Sequence, residues 1–136
     1  ADIDALIKAL QDGVASAIAT DHAPHTLEEK EAGAPGMIGL ELAFPLCYTK
    51  LVKNNHLSLS QLVQKMSTNP SQLMKLNKGC LKPGFDADFA IFNLDTEFTV
   101  FEDFFESKSV NSPFIGQKLY GKIVKTVRKG VEFNWK

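Results

Sequence analysis

The stretch that most constrains this chain is residues 19–25, with the sequence ATDHAPH. It follows an apolar run, residues 14–18, with a turn signal just before it. This pattern predicts a buried strand over residues 14–20. In α/β folds, residues just beyond the end of a parallel strand carry the chemistry. Here that position holds one carboxylate and two imidazoles, in a loop stiffened by Pro24. The stretch is therefore a predicted functional site.

Asp21 is the strongest candidate in this stretch for a catalytic or metal-binding residue. A carboxylate ahead of a stiff loop suits metal ligation or proton transfer, because both need an oxygen held in place. The alternative is an Asx turn that organises the loop. His25 could point into the same cavity and contact a substrate, or it could order the loop by a hydrogen bond. The side chain of His22 should point away from its neighbour Asp21, so we expect it to be structural.

The segment after the predicted strand, residues 21–37, is called the site loop here. It is long for a connection in a compact domain, and such loops are usually functional when they are ordered. Thr26 and Glu29 have the spacing of a capping box, which predicts one helical turn. The loop closes with Pro35 and Gly36, and a glycine allows close backbone approach. The Gly36 amide could therefore contact a ligand, or the pair could simply form a turn.

The rest of the chain divides into a helical part and a strand-rich part, which indicates an α/β fold class. Glu41, at the start of a predicted helix, should interact favourably with the helix dipole, and Pro45 should kink that helix or begin a second segment. Residues 1–78 are predicted to be an α/β unit, and residues 79–136 part of a small β domain. The predicted helices are 2–11, 38–54, 59–67 after a Ser58 cap, and a short one begun by Asn69-Pro70; the predicted strands are 87–94, 98–100 and a hairpin within 119–135 that turns at Lys129-Gly130.

Composition excludes several classes of function. The formal net charge is −1, with 15 basic and 16 acidic residues, so no nucleic-acid partner and no acidic membrane surface is implied. No run approaches the ~20 apolar residues of a membrane span. Cys47 and Cys80 have no CxxC spacing, and we expect them to be unpaired in a reducing cytoplasm. With three histidines, this chain cannot supply a typical metal site by itself.

Several motifs closely resemble the C-terminal third of the dihydroorotase family, in its longer, multidomain-type branch within the amidohydrolase superfamily. The resemblance extends over essentially the whole chain. Relatives such as dihydropyrimidinase and allantoinase keep the Asp-His pair but tend to differ where His25 stands. The motifs are residues 18–25, Pro35-Gly36, Gly39-Leu40-Glu41, Pro45-Leu46, 67–70, 79–84, 86–88 and 111–116.

The resemblance implies the C-terminal part of a metal-dependent (β/α)8 TIM barrel, with part of a composite β domain. Residues 1–78 would be the barrel segment, and residues 79–136 the β segment. One or two zinc ions would be bound, with Asp21 as a metal ligand and catalytic acid/base. His25 would hold the exocyclic carboxylate of dihydroorotate, and the backbone of Pro35 and Gly36 would contact its ring. The reaction implied is the reversible hydrolysis of dihydroorotate to N-carbamoyl-L-aspartate in pyrimidine synthesis.

The family's remaining metal ligands have no counterpart here, so we expect this chain to be part of a longer enzyme and inactive alone. The remainder of the barrel would be its first partner, and homodimer formation or a complex with aspartate carbamoyltransferase would be further ones. We also expect the lone chain to self-associate through its unpaired strand. Two alternatives stay open. One is a related cyclic amidase, such as an allantoinase, hydantoinase or dihydropyrimidinase. The other is a non-catalytic dihydroorotase-like scaffold.

Overall fold

The computed structural model describes residues 2–134, and helices occupy the first half of this range. The first helix confirms the prediction over residues 2–11. Ile3 and Leu6 of this helix are largely exposed (72% and 67%), Ile7 and Leu10 are partly buried, and no residue of the helix is fully buried. The helices are α1 (Asp2–Gln11), α2 (Leu27–Glu31), α3 (Ala43–Cys47), α4 (Leu59–Val63) and α5 (Asn69–Leu73).

Helix α2 lies inside the site loop and begins with the predicted capping box. The Thr26 hydroxyl accepts a hydrogen bond from the Glu29 amide (3.2 Å), and the Glu29 carboxylate accepts one from the Thr26 amide (2.9 Å). The hydrogen bond from the Thr26 backbone is the main cause that lowers the pKa of Glu29, and the nearby His25 adds to it. The box satisfies amides that a helix start leaves without partners.

The helix predicted over residues 38–54 is shorter in the structure. Helix α3 begins at Ala43 and continues as a π-helical turn, Tyr48–Val52. Pro45 lies in the first turn of α3, where a backbone amide would have no helical acceptor. The proline therefore removes no helical hydrogen bond, and the predicted start of a second segment at this residue is not observed.

Ser58 caps α4 as predicted, in a capping box with Gln61. The short helix predicted at Asn69-Pro70 is observed as α5, but the predicted role of Asn69 as its cap is wrong. Helix α4 runs through a π-helical turn, Gln64–Thr68, directly into α5, and Asn69 is already helical. Its side-chain amide donates instead to the Ser16 carbonyl at 2.7 Å, and this long-range bond replaces the local cap.

Strands occupy the second half, in two small antiparallel sheets. One has the order β1-β4-β5, and the other pairs β2 with β3. The predicted turn between the last two strands is confirmed. Lys129 and Gly130 both have positive φ, 50° and 77°, as hairpin turns whose twist matches the strands require. Trp135, included in the predicted hairpin, lies outside the described residues. The strands are β1 (Phe89–Asn93), β2 (Phe98–Thr99), β3 (Lys118–Leu119), β4 (Lys122–Arg128) and β5 (Val131–Asn134).

The strand predicted over residues 14–20 is wrong for this structure. No strand is assigned there, and within residues 2–134 no other strand lies beside it. A strand needs a neighbour to accept its backbone hydrogen bonds. Here the Ile18 amide donates to the Lys65 carbonyl (3.0 Å), and the Lys65 ammonium donates to the Ala15 carbonyl (2.6 Å). The segment is held by the helices rather than by a sheet.

The two halves share one hydrophobic core. Leu42, just before α3, is fully buried together with Val100 and Leu119 of the strand-rich half. Side chains from both halves pack around this trio: Leu46, Phe98, Phe104, Phe105 and Phe114. Because this core spans the predicted boundary near residue 78, the two segments are not packed independently. None of the helices in residues 2–134 has the length and hydropathy to cross a bilayer.

Both cysteines are unpaired, as expected, and each is partly buried. Burial raises the pKa of the Cys47 thiol, which keeps this thiol in its neutral, unreactive form.

Asp88 ties the segment after α5 to the β4–β5 hairpin. Its carboxylate accepts hydrogen bonds from the Lys78 ammonium and from the Lys129 amide, the latter at 2.6 Å. The Lys78 ammonium also lies 3.7 Å from the carboxylate of Asp86. The Lys78 hydrogen bond is the main cause that lowers the pKa of Asp88, followed by the bond from Lys129.

We predict that Asp88→Asn lowers the melting temperature at pH 7. Asparagine keeps an oxygen for the Lys129 amide but loses the charge that binds Lys78. Because the folded-state pKa of Asp88 lies below its ordinary value of 3.8, the stabilisation is complete above that pH and is lost as the pH falls further. Thermal unfolding at pH 7 and pH 3 measures this, with the difference between variant and parent expected to shrink at pH 3. Asp86→Asn is the matched control and should have a smaller effect. Equal effects of the two variants would contradict the assignment.

Candidate functional site

The site loop is closed by His22. The ring nitrogen Nδ1 of His22 accepts hydrogen bonds from the amides of Gly39 (3.1 Å) and Leu40 (3.2 Å). His22 also forms an isolated parallel bridge with Met37, whose carbonyl accepts from the Ala23 amide at 2.9 Å. Since Nδ1 is an acceptor, the neutral ring carries its proton on Nε2. The expected structural role of His22 is confirmed.

The site loop has two limbs, the residues around 21–25 at its start and those around 34–37 at its end. Gly36, on the second limb, packs directly against the first. Its φ is +105°, and an added Cβ would lie 2.7 Å from the Ala23 Cβ and 3.6 Å from the His25 Nε2. Only glycine fits this backbone and this space. The Gly36 carbonyl accepts hydrogen bonds from the Lys30 ammonium (2.9 Å) and the Asn111 side chain (3.4 Å). Its amide has no partner among residues 2–134 and is the group that a ligand could use.

His25 is held on three sides. Its side chain is 26% exposed, and Nδ1 lies 3.4 Å from the Glu29 carboxylate. Its carbonyl accepts from the Ser109 hydroxyl (2.7 Å), and its amide donates to the Asn111 side chain (3.5 Å). Because Nδ1 faces Glu29, Nε2 is the ring nitrogen beside Gly36. When the ring carries a proton on both nitrogens, the imidazole Nε2 and the Gly36 amide are two neighbouring groups that could both donate to an oxyanion.

Asp21 lies at the entrance of the loop with an exposed side chain. Its φ is +48°, a left-handed conformation that aspartate tolerates better than most residues. Its carboxylate accepts no hydrogen bond within residues 2–134, so the alternative of an Asx turn is not observed. Asp21 and Gly36 each precede the bridged pair His22 and Met37 by one residue, so the bridge holds these two positions side by side. No direct contact between Asp21 and His25 is observed among the described residues.

Pro35 is exposed, beside Gly36. The preceding carbonyl, of Ala34, accepts a hydrogen bond from the Lys30 ammonium at 2.6 Å. The Lys30 ammonium therefore donates hydrogen bonds to the carbonyls of Ala34 and Gly36 in the turn at residues 34–36. The structure brings Gly36 and His25 into contact, and places Pro35 at the rim.

Sequence reasoning missed two residues of the site, Ser109 and Asn111. They lie 75 to 88 positions from the loop residues that they bind, and although Asn111 begins the motif at residues 111–116, the sequence predicted no role in the site for either residue. Polar residues interrupting the aromatic run from Phe104 to Phe114 were the available signal. That signal indicates a hydrogen-bonding role but names no partner.

The described residues do not complete a metal site. No group of three or more His, Cys, Asp or Glu side chains within residues 2–134 is arranged to hold an ion. Zinc takes three or four protein ligands, and the exposed Asp21 carboxylate could supply one of them. The other ligands would have to come from outside these residues.

A cavity of about 690 Å³ lies between α3 and the sheets, away from the site loop. Its walls are mainly apolar and include several phenylalanines, and none of its described lining residues belongs to residues 21–37. Glu41 borders it and precedes the start of α3. One oxygen of Glu41 accepts from the Ser107 amide at 3.0 Å, and the other is buried without a partner among residues 2–134. Glu41 therefore anchors the 107–111 segment rather than serving the expected dipole role.

Comparison with known proteins places the chain in one family. The sequence model of the Amidohydrolase family matches residues 1–132. The chain is 47% identical over 129 residues to a dihydroorotase of Clostridium botulinum, covering 95% of this chain and 32% of the relative. It is 52% identical over 133 residues to a dihydroorotase of Ruminiclostridium cellulolyticum, covering 95% of this chain and 31% of that protein.

A solved structure has the same fold over nearly the whole of this chain. The L-hydantoinase (dihydropyrimidinase) of Arthrobacter aurescens superposes with a TM-score of 0.88 at 34% identity, over 96% of this chain and 31% of that one. Together with the family match, this superposition confirms the α/β fold class. The two sequence relatives confirm the resemblance to dihydroorotases. The chain spans less than a third of the length of the relatives it matches. By the extent of the family match and the agreement in fold, this chain belongs to the amidohydrolase family.

Proposed function

We propose that this chain forms one wall of a dihydroorotase active site. The reaction is the reversible hydrolysis of dihydroorotate to N-carbamoyl-L-aspartate, a step of pyrimidine synthesis. The observation that carries the proposal is the placement of His25 Nε2 beside Gly36, with Asp21 adjacent to Gly36 across the loop. Identity of 47–52% to dihydroorotases over nearly the whole chain supports it. Because those relatives are about three times longer, the remainder of the barrel supplies the other site residues.

Asp21 is proposed to move the proton. Its carboxylate takes a proton from the attacking water and delivers it to the ring nitrogen as the amide C–N bond breaks. An exposed carboxylate with no internal partner is available for this transfer. A metal ion, which we propose to be zinc, polarises the amide carbonyl when bound. Asp21 would contribute one of its ligands.

His25 and Gly36 are proposed to bind the substrate. Dihydroorotate carries an exocyclic carboxylate, and the imidazole Nε2 can donate a hydrogen bond to it when both ring nitrogens carry a proton. The free Gly36 amide and the exposed Pro35 rim would contact the ring. The Glu29 carboxylate, 3.4 Å from the other ring nitrogen, orients the imidazole for this contact.

The structural match to a hydantoinase favours a second candidate, a related cyclic amidase. An uncharged hydantoin ring has no carboxylate that needs a partner, so the effect of replacing His25 distinguishes a dihydroorotase from a related cyclic amidase. A non-catalytic scaffold that binds aspartate carbamoyltransferase is the third reading, and it would show no turnover. A cytoplasmic location and a homodimer are further predictions from the family resemblance.

The first test concerns Asp21 in a chimera. This chain replaces the matching third of the Ruminiclostridium cellulolyticum dihydroorotase, which is 52% identical to it. Asp21→Asn keeps the size of the side chain but removes the base, so kcat for dihydroorotate should fall at least about a hundredfold. The 136-residue chain alone should show no turnover. Asp12→Asn, at an exposed residue paired only with Lys8, is the control and should keep the parent rate. More than a tenth of the parent kcat in Asp21→Asn would remove Asp21 from the chemistry.

The second test concerns His25 in the same chimera. His25→Ala should raise KM for dihydroorotate about tenfold, because one hydrogen bond to a charged group is lost, and should change kcat less. His56→Ala, at a histidine in the turn before α4, should leave both constants unchanged. An unchanged KM in His25→Ala, together with turnover of an uncharged hydantoin, would favour the cyclic-amidase reading instead.

A further inference from the structure

Asn111 binds both limbs of the site loop at once. Its side-chain amide donates to the carbonyls of Ala23 (3.2 Å) and Gly36 (3.4 Å). Its side-chain oxygen accepts from the His25 amide (3.5 Å), and its backbone carbonyl accepts from the Ile38 amide (3.2 Å). One residue therefore holds the site loop at three points, Ala23, His25 and Gly36, and the adjoining Ile38 at a fourth.

Ser109 holds Asn111 in this orientation. Its hydroxyl lies within hydrogen-bond distance of both the Asn111 side-chain oxygen and the His25 carbonyl, and its single hydrogen can be donated to one of them at a time. An asparagine amide has one end that accepts and one that donates. The Asn111 oxygen faces the His25 amide, and its nitrogen faces the carbonyls of Ala23 and Gly36, so these contacts favour a single orientation of the amide.

These bonds set the distance between the two groups proposed to bind the substrate. Gly36 approaches Ala23 so closely that a methyl group would not fit, and Asn111 connects the carbonyls of these same two residues. On the first limb it also fixes the His25 backbone. Side-chain bonds of this kind act through the position of the ring and of the Gly36 amide, with no direct contact to a substrate.

We propose that Asn111 is a positioning residue, which fixes His25 against Gly36 and thereby determines affinity for the carboxylate of the substrate. This inference rests on the proposed function. It assigns the strand-rich half a role in the site, since Asn111 lies between β2 and β3 while the loop it holds lies in the helical half.

The first experiment uses the dihydroorotase chimera. Asn111→Ala should raise KM for dihydroorotate about tenfold while kcat stays within about twofold of the parent. In a His25→Ala background the same change should raise KM less than twofold, because the contact to the substrate carboxylate is already lost and only the placement of the Gly36 amide remains to be affected. Asn111→Asp keeps the acceptor but sets a carboxylate against two carbonyls, so it should raise KM as Asn111→Ala does.

Asn93→Ala is the matched control. The Asn93 side chain accepts from the amides of Asp95 (3.0 Å) and Thr96 (3.1 Å), so its loss also removes turn hydrogen bonds from the strand-rich half. It does not touch the site loop and should leave KM unchanged. An equal rise in KM for Asn93→Ala and Asn111→Ala, or additive effects of Asn111→Ala and His25→Ala, would overturn the proposal.

The second experiment does not depend on activity. In the same chimera, Asn111→Ala should speed hydrogen exchange of the His25 amide at least about tenfold relative to the Ala23 amide, which keeps its bond to Met37. If the parent chimera does not hydrolyse dihydroorotate, the proposed function is wrong, and exchange alone decides whether Asn111 positions the loop. Unchanged His25 exchange would overturn the positioning role in either case.

Discussion

The geometry of the site depends on the two hydrogen bonds that the His22 ring accepts from backbone amides. Without them, the amides of Gly39 and Leu40 would lack partners where the chain turns towards α3. By bonding both, the ring brings the segment after Gly36 against the segment that begins at Asp21. The parallel bridge to Met37 and the close packing of Gly36 follow from this alignment. His22 thus shapes a site in which it is not proposed to react.

The strand-rich half completes this arrangement. Asn111 and Ser109 reach the loop from between β2 and β3, and the Ser107 amide is bound by Glu41. The buried core of Leu42, Val100 and Leu119 presses the same two regions together. Apolar burial supplies most of the attraction between the halves, while the directional hydrogen bonds determine where the loop sits. A boundary drawn near residue 78 therefore separates types of secondary structure but not functional units.

Several features of the structure agree with the short span of this chain relative to its relatives. The described residues hold one candidate metal ligand at the site, Asp21, and the segment over residues 14–20 has no strand beside it. In longer amidohydrolases of the same family, other parts of the chain can supply ligands and neighbouring strands. The proposed function assigns this chain the binding of the carboxylate and the proton transfer, and leaves the remaining metal ligands to the other two thirds.

Local chemistry could be predicted from the sequence. The capping boxes at Thr26 and Ser58 and the turn at Lys129-Gly130 join residues at most three positions apart, so the sequence alone determined them. The structural role of His22 was also predicted, but its partners, the amides of Gly39 and Leu40, lie 17 and 18 positions away and only folding brings them to the ring. Tertiary structure decided what depends on distant neighbours. Residues 14–20 form no strand because a strand needs a second chain segment for its hydrogen bonds, and Asn69 bonds Ser16 instead of capping a helix. Asn111 belongs to the site only because folding brings together residues 75 to 88 positions apart, a pairing that no local pattern encodes.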